Sequence, residues 1–126
     1  MDTITLEELV EIQESTIKRF GGSVGIRDRE LVESALNRGL ATFDGVDLYN
    51  PIERKISVIT YSLISNHGFV DGNKRIGVSI MILLCKLNNI NLKFAQEELI
   101  EFGLEVAKGN YKEDFIFKWI LEHKVN

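Results

Sequence analysis

Hydrophobic residues recur at intervals of three and four over most of the chain, which is the spacing of side chains on one face of an α-helix. A further run, Ile76 to Leu87, is apolar almost all round and is predicted to be a central helix packed on most sides. The stripes with helical spacing are Leu6, Leu9, Val10, Gln13 and Ile17; Leu31, Val32, Ala35 and Leu36; Ile52, Ile56, Ile59 and Leu63; Leu99, Phe102 and Val106; and Phe115, Ile116, Trp119 and Ile120.

Most of these predicted helices have recognisable ends. Their N-terminal signals are Thr5 with Glu8, Asp28, Pro51, and Asn110 with Glu113. Their C-terminal signals are the segment FGGSVG, Gly39, the segment NNIN and Gly109. The chain is therefore predicted to contain six or seven helices.

One short segment departs from the helical pattern. Asp44 and Gly45 are preceded by Thr42 and Phe43 and followed by Val46, and an Asp-Gly pair between such residues indicates a β-hairpin with a type I′ turn. The predicted fold class is therefore all-α, with the helices around a central buried helix and one small β-hairpin. Residues 1–126 are expected to form a single domain.

Composition and charge exclude several classes of function. The net charge of −4 is spread along the chain, which argues against direct binding of nucleic acid. The single cysteine, Cys85, lies in an apolar run, so it is interpreted as a buried structural thiol in a reducing compartment. No signal peptide is visible, and the longest apolar run is about half of the roughly 20 residues that a membrane span needs. A cytoplasmic protein without membrane insertion is expected.

Polar chemistry is concentrated in NHGFVDGNKRIG, residues 66–77, between two apolar helices. The predicted central helix begins near Lys74, and helix N-termini present unpaired N–H groups that suit anions. Gly72 permits close approach of a bound group, and Asn73 is expected to cap the helix. Lys74 and Arg75 place positive charge where the helix dipole disfavours it unless an anion binds there. The pattern predicts a phosphate site.

His67 and Asp71 complete this polar cluster. Histidine titrates near neutral pH and suits a general base, whereas an aspartate is a hard ligand for Mg²⁺. Phe69, between them, is expected to point into the core and fix the course of the loop. Each residue alone has a structural explanation, but their joint spacing favours phosphoryl or nucleotidyl transfer. His123 has no such neighbours and is interpreted as structural or exposed.

These residues resemble the core motif of the Fic/Doc family, His-x-Phe-x-(Asp/Glu)-Gly-Asn-(Gly/Lys)-Arg, which HGFVDGNKR matches at every position. The stretch RFGGSVGIRDRELVESAL is similar to the segment that precedes the active site in the Doc (death-on-curing) branch. The resemblance covers essentially the whole chain and implies the Fic fold.

The resemblance also implies a role for each matching residue. His67 would deprotonate a hydroxyl on a target protein, with ATP as the second substrate, and Asp71 would hold Mg²⁺. Gly72, Asn73 and Lys74 would bind the phosphates, and Arg75 would neutralise their charge. The hairpin, Phe43, Asp44, Gly45 and Val46, occupies the place of the family's flap, which aligns the target segment by β-augmentation.

Three positions bear on which group is transferred. AMP-transferring members usually have Gly at the position of Lys74 and a second Arg at the position of Val78. Doc-type members without that pattern are linked to transfer of the γ-phosphate, with elongation factor Tu as the known target, so these two residues favour a kinase toxin. Doc itself has Ala where this chain has Gly72, which is nearer the AMP-transferring pattern. AMP transfer, or a catalytically silent module that binds its antitoxin, stays open.

Regulation is also expected to follow the family. Members that inhibit themselves carry (Ser/Thr)-x-x-x-Glu-(Gly/Asn), and the nearest match here, Thr3 to Glu7, is followed by Glu8. The resemblance therefore implies inhibition in trans by a cognate Phd-like antitoxin, whose disordered tail folds onto the toxin and which is the DNA-binding member of the pair.

Overall fold

The computed structural model describes residues 1–125, and within them the chain forms helices joined by short loops and small two-stranded sheets. This confirms the predicted all-α class. The helices are α1 (Leu6–Phe20), α2 (Arg29–Arg38), α3 (Ile52–Ser65), α4 (Asn73–Leu87), α5 (Gln96–Ala107) and α6 (Glu113–His123). The strands are β1 (Thr42–Phe43), β2 (Val46–Asp47), β3 (Asn91–Leu92) and β4 (Lys124–Val125).

The predicted helix starts at Thr5 and Asp28 are confirmed. The Glu8 N–H donates to Thr5 Oγ1 at 3.1 Å and the Thr5 N–H donates to the Glu8 carboxylate at 2.9 Å, so the capping box is complete. The Leu31 N–H donates to Asp28 Oδ1 at 3.1 Å. Both caps satisfy backbone donors that the first turn of a helix leaves unpaired.

The predicted cap of α6 by Asn110 is wrong. The residue at the N-cap is Lys112, whose side chain makes no capping hydrogen bond. Asn110 instead donates from its amide to Glu105 Oε2 at 2.6 Å, and its backbone N–H bonds to the Glu105 carbonyl at 3.0 Å. The amide is engaged in closing the C-terminus of α5, where Gly109 turns the chain at φ 85°.

Helices α3 and α4 pack together at the centre of the core. Ile76, Ile80 and Leu84 on α4 are fully buried, as the apolar run predicted. A methyl group at Gly77 would overlap the Ile64 side chain of α3, so this glycine allows the two helices to approach closely. The extent of burial along α3 was not predicted, because its hydroxyl residues look polar in sequence. Thr60 is 0% exposed, and its hydroxyl donates to the Ile56 carbonyl one turn earlier at 2.8 Å.

The predicted hairpin is present as β1 and β2, which pair antiparallel with Phe43 opposite Val46. Asp44 and Gly45 have φ of 52° and 76°, the positive values that a type I′ turn needs. The base of the hairpin is tied to α3 by Lys55 Nζ, which lies 3.1 Å from Asp47 Oδ2 and is buried.

A second small sheet was not predicted. Strand β3 pairs antiparallel with β4, which brings the C-terminal segment back beside the end of α4. Strands of two residues carry no alternation of polar and apolar positions, so the sequence has no signal for them. In the stretch from residue 1 to residue 125, none of the helices has both the length and the apolar character of a membrane span.

Candidate active site

The loop between α3 and α4 is shaped by Phe69 and Asn73. Phe69 is only 2% exposed, so it anchors the loop in the core, as predicted. Its N–H donates to Asn73 Oδ1 and its carbonyl accepts from Asn73 Nδ2, both at 3.0 Å. The expected cap of α4 by Asn73 is therefore wrong, because both ends of its amide are engaged with Phe69. Gly72 is the N-cap, in the left-handed conformation at φ 76°.

A glycine-containing segment, residues 22–28, lies against this loop and is called the strap below. Ile26 and Phe69 form an antiparallel β-bridge, and the Val70 N–H donates to the Gly25 carbonyl at 3.0 Å. The N–H groups of Arg27 and Asp28 both donate to the Gly68 carbonyl, at 2.8 and 2.9 Å. The loop is thus supported along its length by backbone bonds from a segment far away in sequence.

Gln13 joins α1, the strap and the loop. Its side chain is 1% exposed, and its Nε2 donates to the carbonyls of Ser23 and Asp71, each at 3.3 Å. Its Oε1 accepts from the Gly25 N–H at 3.3 Å. Gln13 lies on the otherwise apolar stripe of α1, and the helical spacing alone assigns it no role. The signal that could have revealed it is a polar amide in an otherwise apolar stripe, since buried amides need partners.

The motif residues predicted to do chemistry come together in one cleft of about 410 Å³. The side chain of His67 is exposed at its edge, and its backbone has a positive φ of 51°. The cleft is lined by His67, Val70, Asp71, Gly72, Asn73, Lys74 and Arg75. The hairpin residues Phe43 to Val46 do not line it; they are exposed, with Phe43 at 75%.

The carboxylate of Asp71 is held by two backbone N–H groups. Its Oδ1 accepts from the Gly72 N–H at 2.9 Å and its Oδ2 from the Ser23 N–H at 3.2 Å, which fixes the carboxylate. A carboxylate oxygen accepts more than one bond, so both oxygens keep capacity for a cation on this exposed side chain. Residues 1–125 contain no group of three acidic, His or Cys side chains placed to hold a metal. A single carboxylate supplemented by phosphate oxygens and water is an arrangement that Mg²⁺ accepts.

The N-terminus of α4 faces the same cleft and suits an anion. Ile76 is the first residue whose N–H is bonded within the helix, to the Gly72 carbonyl at 2.9 Å, so the N–H groups of residues 73–75 have no helical acceptor. The Arg75 guanidinium lies 4.5 Å from the ring centroid of Phe20, and the stem of Lys74 passes Gly103 of α5. Lys74 and Arg75 also border a second cleft of about 360 Å³, which Val78 lines.

An exposed histidine, a fixed carboxylate and a helix N-terminus with two cationic side chains line one cleft on an all-α scaffold. A family model described as Fic/DOC family matches residues 3–85. That match takes in the strap, the hairpin and the whole loop between α3 and α4. The chain therefore belongs to the Fic/DOC family.

Two relatives carry names that bear on the activity. "Toxin Doc" of Mycolicibacterium smegmatis (strain ATCC 700084 / mc(2)155) is 37% identical over 73 residues, which is 58% of this chain and 56% of that protein. The chain thus matches little more than half the length of this relative. "Protein kinase doc" of Escherichia phage P1 is 26% identical over 109 residues, 86% of this chain and 85% of that protein.

Proposed function

We propose that this protein is a Doc-type toxin that transfers the γ-phosphate of ATP to a Ser or Thr hydroxyl of a target protein, elongation factor Tu, and thereby arrests translation. The observation that carries the proposal is the single cleft in which His67, Asp71 and the N-terminus of α4 meet. The relatives whose names include "Toxin" and "Protein kinase" support it.

The chemistry assigned to His67 is that of a general base. An imidazole nitrogen takes the proton of the target hydroxyl while that oxygen forms a bond to the γ-phosphorus. The bond from phosphorus to the β–γ bridging oxygen breaks, and ADP leaves with its electron pair. General bases contribute about 10²- to 10⁴-fold to such steps. His67 is suited to this role because its ring is exposed at the edge of the cleft.

The remaining residues of the cleft would bind and neutralise the phosphates. The N–H groups at the start of α4 and the side chains of Lys74 and Arg75 would donate to phosphate oxygens, where negative charge is concentrated. Asp71, already fixed by the N–H groups of Ser23 and Gly72, would hold Mg²⁺. When bound, Mg²⁺ supplies charge neutralisation at the phosphates.

Phosphoryl transfer is favoured over AMP transfer by Lys74 and Val78. Both line the second cleft beside Arg75. Val78 stands where AMP-transferring members have a second Arg, so this cleft lacks the second guanidinium that they use. The name of the phage relative points the same way. AMP transfer is the second candidate, because Gly72 at the N-cap of α4 matches the AMP-transferring motif.

Two protein partners belong to the proposal. The exposed edge of the hairpin, with Phe43 at 75% and Val46 at 66% exposure, would pair with an extended segment of the target by β-augmentation. A cognate Phd-like antitoxin, itself the DNA-binding partner, would inhibit the toxin in trans; the name "Toxin Doc" of a relative supports such a pair.

The proposal is tested by measuring the intact mass of elongation factor Tu after incubation with this protein, ATP and Mg²⁺. We expect the gain of one phosphate, which is absent when His67→Ala replaces the native protein. A gain of one AMP group would reassign the enzyme to AMP transfer. If neither group appears, a whole lysate is treated in the same way; an unmodified lysate would leave the silent antitoxin-binding module as the function.

A further inference from the structure

Arg27 of the strap forms hydrogen bonds to the backbone of the loop between α3 and α4, at the candidate base His67. Its Nε donates to the His67 carbonyl at 2.7 Å, and one terminal nitrogen donates to the Asn66 carbonyl at 3.2 Å. The backbone N–H of the same arginine donates to the Gly68 carbonyl at 2.8 Å. A single residue thus bonds to the carbonyls of three successive loop residues.

His67 is the residue in this loop that needs such support. Its φ of 51° is in the left-handed region, which residues other than glycine rarely occupy because the Cβ crowds the backbone. Conformations of this kind persist only where the surroundings hold them. The shorter of the two guanidinium bonds is the one to the carbonyl of His67 itself.

The charge of Arg27 is not engaged with a carboxylate. Among the ion pairs formed within residues 1–125, none includes Arg27, whereas Arg29, two residues later, pairs with Glu33 on the surface of α2 at 3.1 Å. A guanidinium presents its donors in a fixed planar fork, which suits two adjacent acceptors better than the single donor point of a lysine does. Both side-chain hydrogen bonds of Arg27 go to main-chain oxygens of the loop.

We propose that Arg27 is a positioning residue for the transfer reaction: its guanidinium holds the backbone of His67 in the left-handed conformation and so directs the imidazole to the cleft. The proposal rests on the proposed role of His67 as the base. It predicts that loss of Arg27 affects the chemical step and leaves binding of ATP in place, because Arg27 does not line the cleft that would take the phosphates.

The kinetic test compares Arg27→Ala, Arg27→Lys and the control Arg29→Ala with the native protein, using phosphate transfer to elongation factor Tu. Misplacement of a catalytic group by about 1 Å costs roughly 10²-fold, so we expect Arg27→Ala to lower kcat by about 10- to 100-fold, with KM for ATP within about twofold. Arg27→Lys, which keeps a single donor nitrogen, should have an intermediate kcat, and Arg29→Ala should keep the native kcat. Added guanidinium ion at millimolar concentration partly restores Arg27→Ala but not His67→Ala. An unchanged kcat in folded Arg27→Ala would overturn the proposal.

A second measurement needs no activity at all. The chain contains two histidines, so ¹³C-labelled histidine gives two Cα signals, and a Cα shift reports whether its residue is left-handed. In Arg27→Ala we expect the His67 signal to move away from its left-handed value while the His123 signal stays in place. A His67 signal that does not move in the folded variant overturns the inference. This measurement tests the inference independently of the proposed function. The His67 signal of Arg27→Ala can be compared with that of the native protein even if the native protein modifies no target.

Discussion

The two histidines of this protein lie in regions built on opposite principles. His123 ends α6, where its ring stacks on Trp119 with centroids 3.9 Å apart. Its Nδ1 lies 2.7 Å from the Trp119 carbonyl and its Nε2 lies 2.9 Å from Glu98 Oε2. Each ring nitrogen of His123 therefore faces an acceptor within hydrogen-bonding distance. His67 has the reverse arrangement: its backbone is held, and within residues 1–125 its ring nitrogens make no hydrogen bond.

The comparison separates a histidine whose ring is part of the packing from one whose ring is free for the chemistry proposed above. A ring whose two nitrogens each face an acceptor of the fold is held by those contacts, whereas a ring left open on a supported backbone is accessible to a hydroxyl in the cleft. The residues around His67 form hydrogen bonds to main-chain atoms, and Arg27 is the clearest example. The groups around His123 form hydrogen bonds to its ring nitrogens. His67 therefore combines a backbone that is held by its neighbours with a ring that makes no hydrogen bond within residues 1–125.

Replacing each of the two histidines by alanine gives the largest expected effect. His67→Ala should lower kcat of phosphate transfer by about 10²- to 10⁴-fold, the usual contribution of a general base, with little change in stability. His123→Ala should keep kcat but lower the free energy of unfolding by about 1–3 kcal/mol, because the ring loses two hydrogen bonds and its packing on Trp119. Initial rates and urea unfolding of both variants measure this. A folded His123→Ala protein without activity would break the comparison.

A smaller effect should separate two adjacent glycines, Gly21 just before the strap and Gly22 at its start. Both have positive φ, 89° at Gly21 and 116° at Gly22, so alanine strains the backbone at either position. A Cβ at Gly22 would lie 2.6 Å from Asp71 Oδ2, whereas a Cβ at Gly21 would have no atom within 4 Å. We expect Gly22→Ala to displace the carboxylate and to raise the Mg²⁺ concentration for half-maximal activity by about tenfold, the range seen when the support of a metal ligand is lost.

Gly21→Ala is the matched control for this effect. It carries similar backbone strain, so it should lower stability without changing the dependence on Mg²⁺. The measurement is a Mg²⁺ titration of initial rates for the two variants and the native protein. Equal displacement of both titrations would mean that strain in the strap, and not contact with Asp71, controls the metal requirement.

Features of this molecule that depend on short spacings could be predicted from the sequence. The caps at Thr5 and Asp28 and the turn at Asp44 and Gly45 each involve residues at most three positions apart, and all three are present. The burial of Cys85 followed from its apolar neighbours; that burial raises the pKa of the thiol to about 12, so it stays protonated at neutral pH.

Contacts between distant segments could not be predicted. Arg27 reaches the His67 carbonyl across 40 positions, and Gln13 reaches the Asp71 carbonyl across 58. No local pattern specifies such pairs, because they are fixed by how the helices pack. The two wrong caps have a different cause, because the competing contacts are local. The amides of Asn73 and Asn110 bond to Phe69 and Glu105, four and five positions earlier, and so do not cap the helices that follow.

The smallest expected effect concerns the end of the molecule that holds His123. Lys124 Nζ donates to Glu53 Oε2 at 2.8 Å, which ties β4 to α3. Burial raises the pKa of Glu53, but the hydrogen bond and charge of Lys124, with a backbone bond, outweigh it, so the pKa is lowered. A lowered pKa in the folded state means that this pair stabilises the protein above the unfolded-state pKa, about 4.3, and that its contribution is lost as the pH falls through the folded-state value.

Glu53→Gln should therefore lower the free energy of unfolding at pH 7 by on the order of 1 kcal/mol, and the difference from the native protein should shrink below about pH 4. Urea unfolding at a series of pH values measures this difference, with Glu33→Gln, which removes an exposed ion pair on α2, as the control. Phosphate transfer at neutral pH should be unaffected in both variants, because neither residue lines the cleft of His67. A loss of kcat in folded Glu53→Gln would show that the C-terminal end of the molecule is coupled to the site, and the two regions would then no longer be independent.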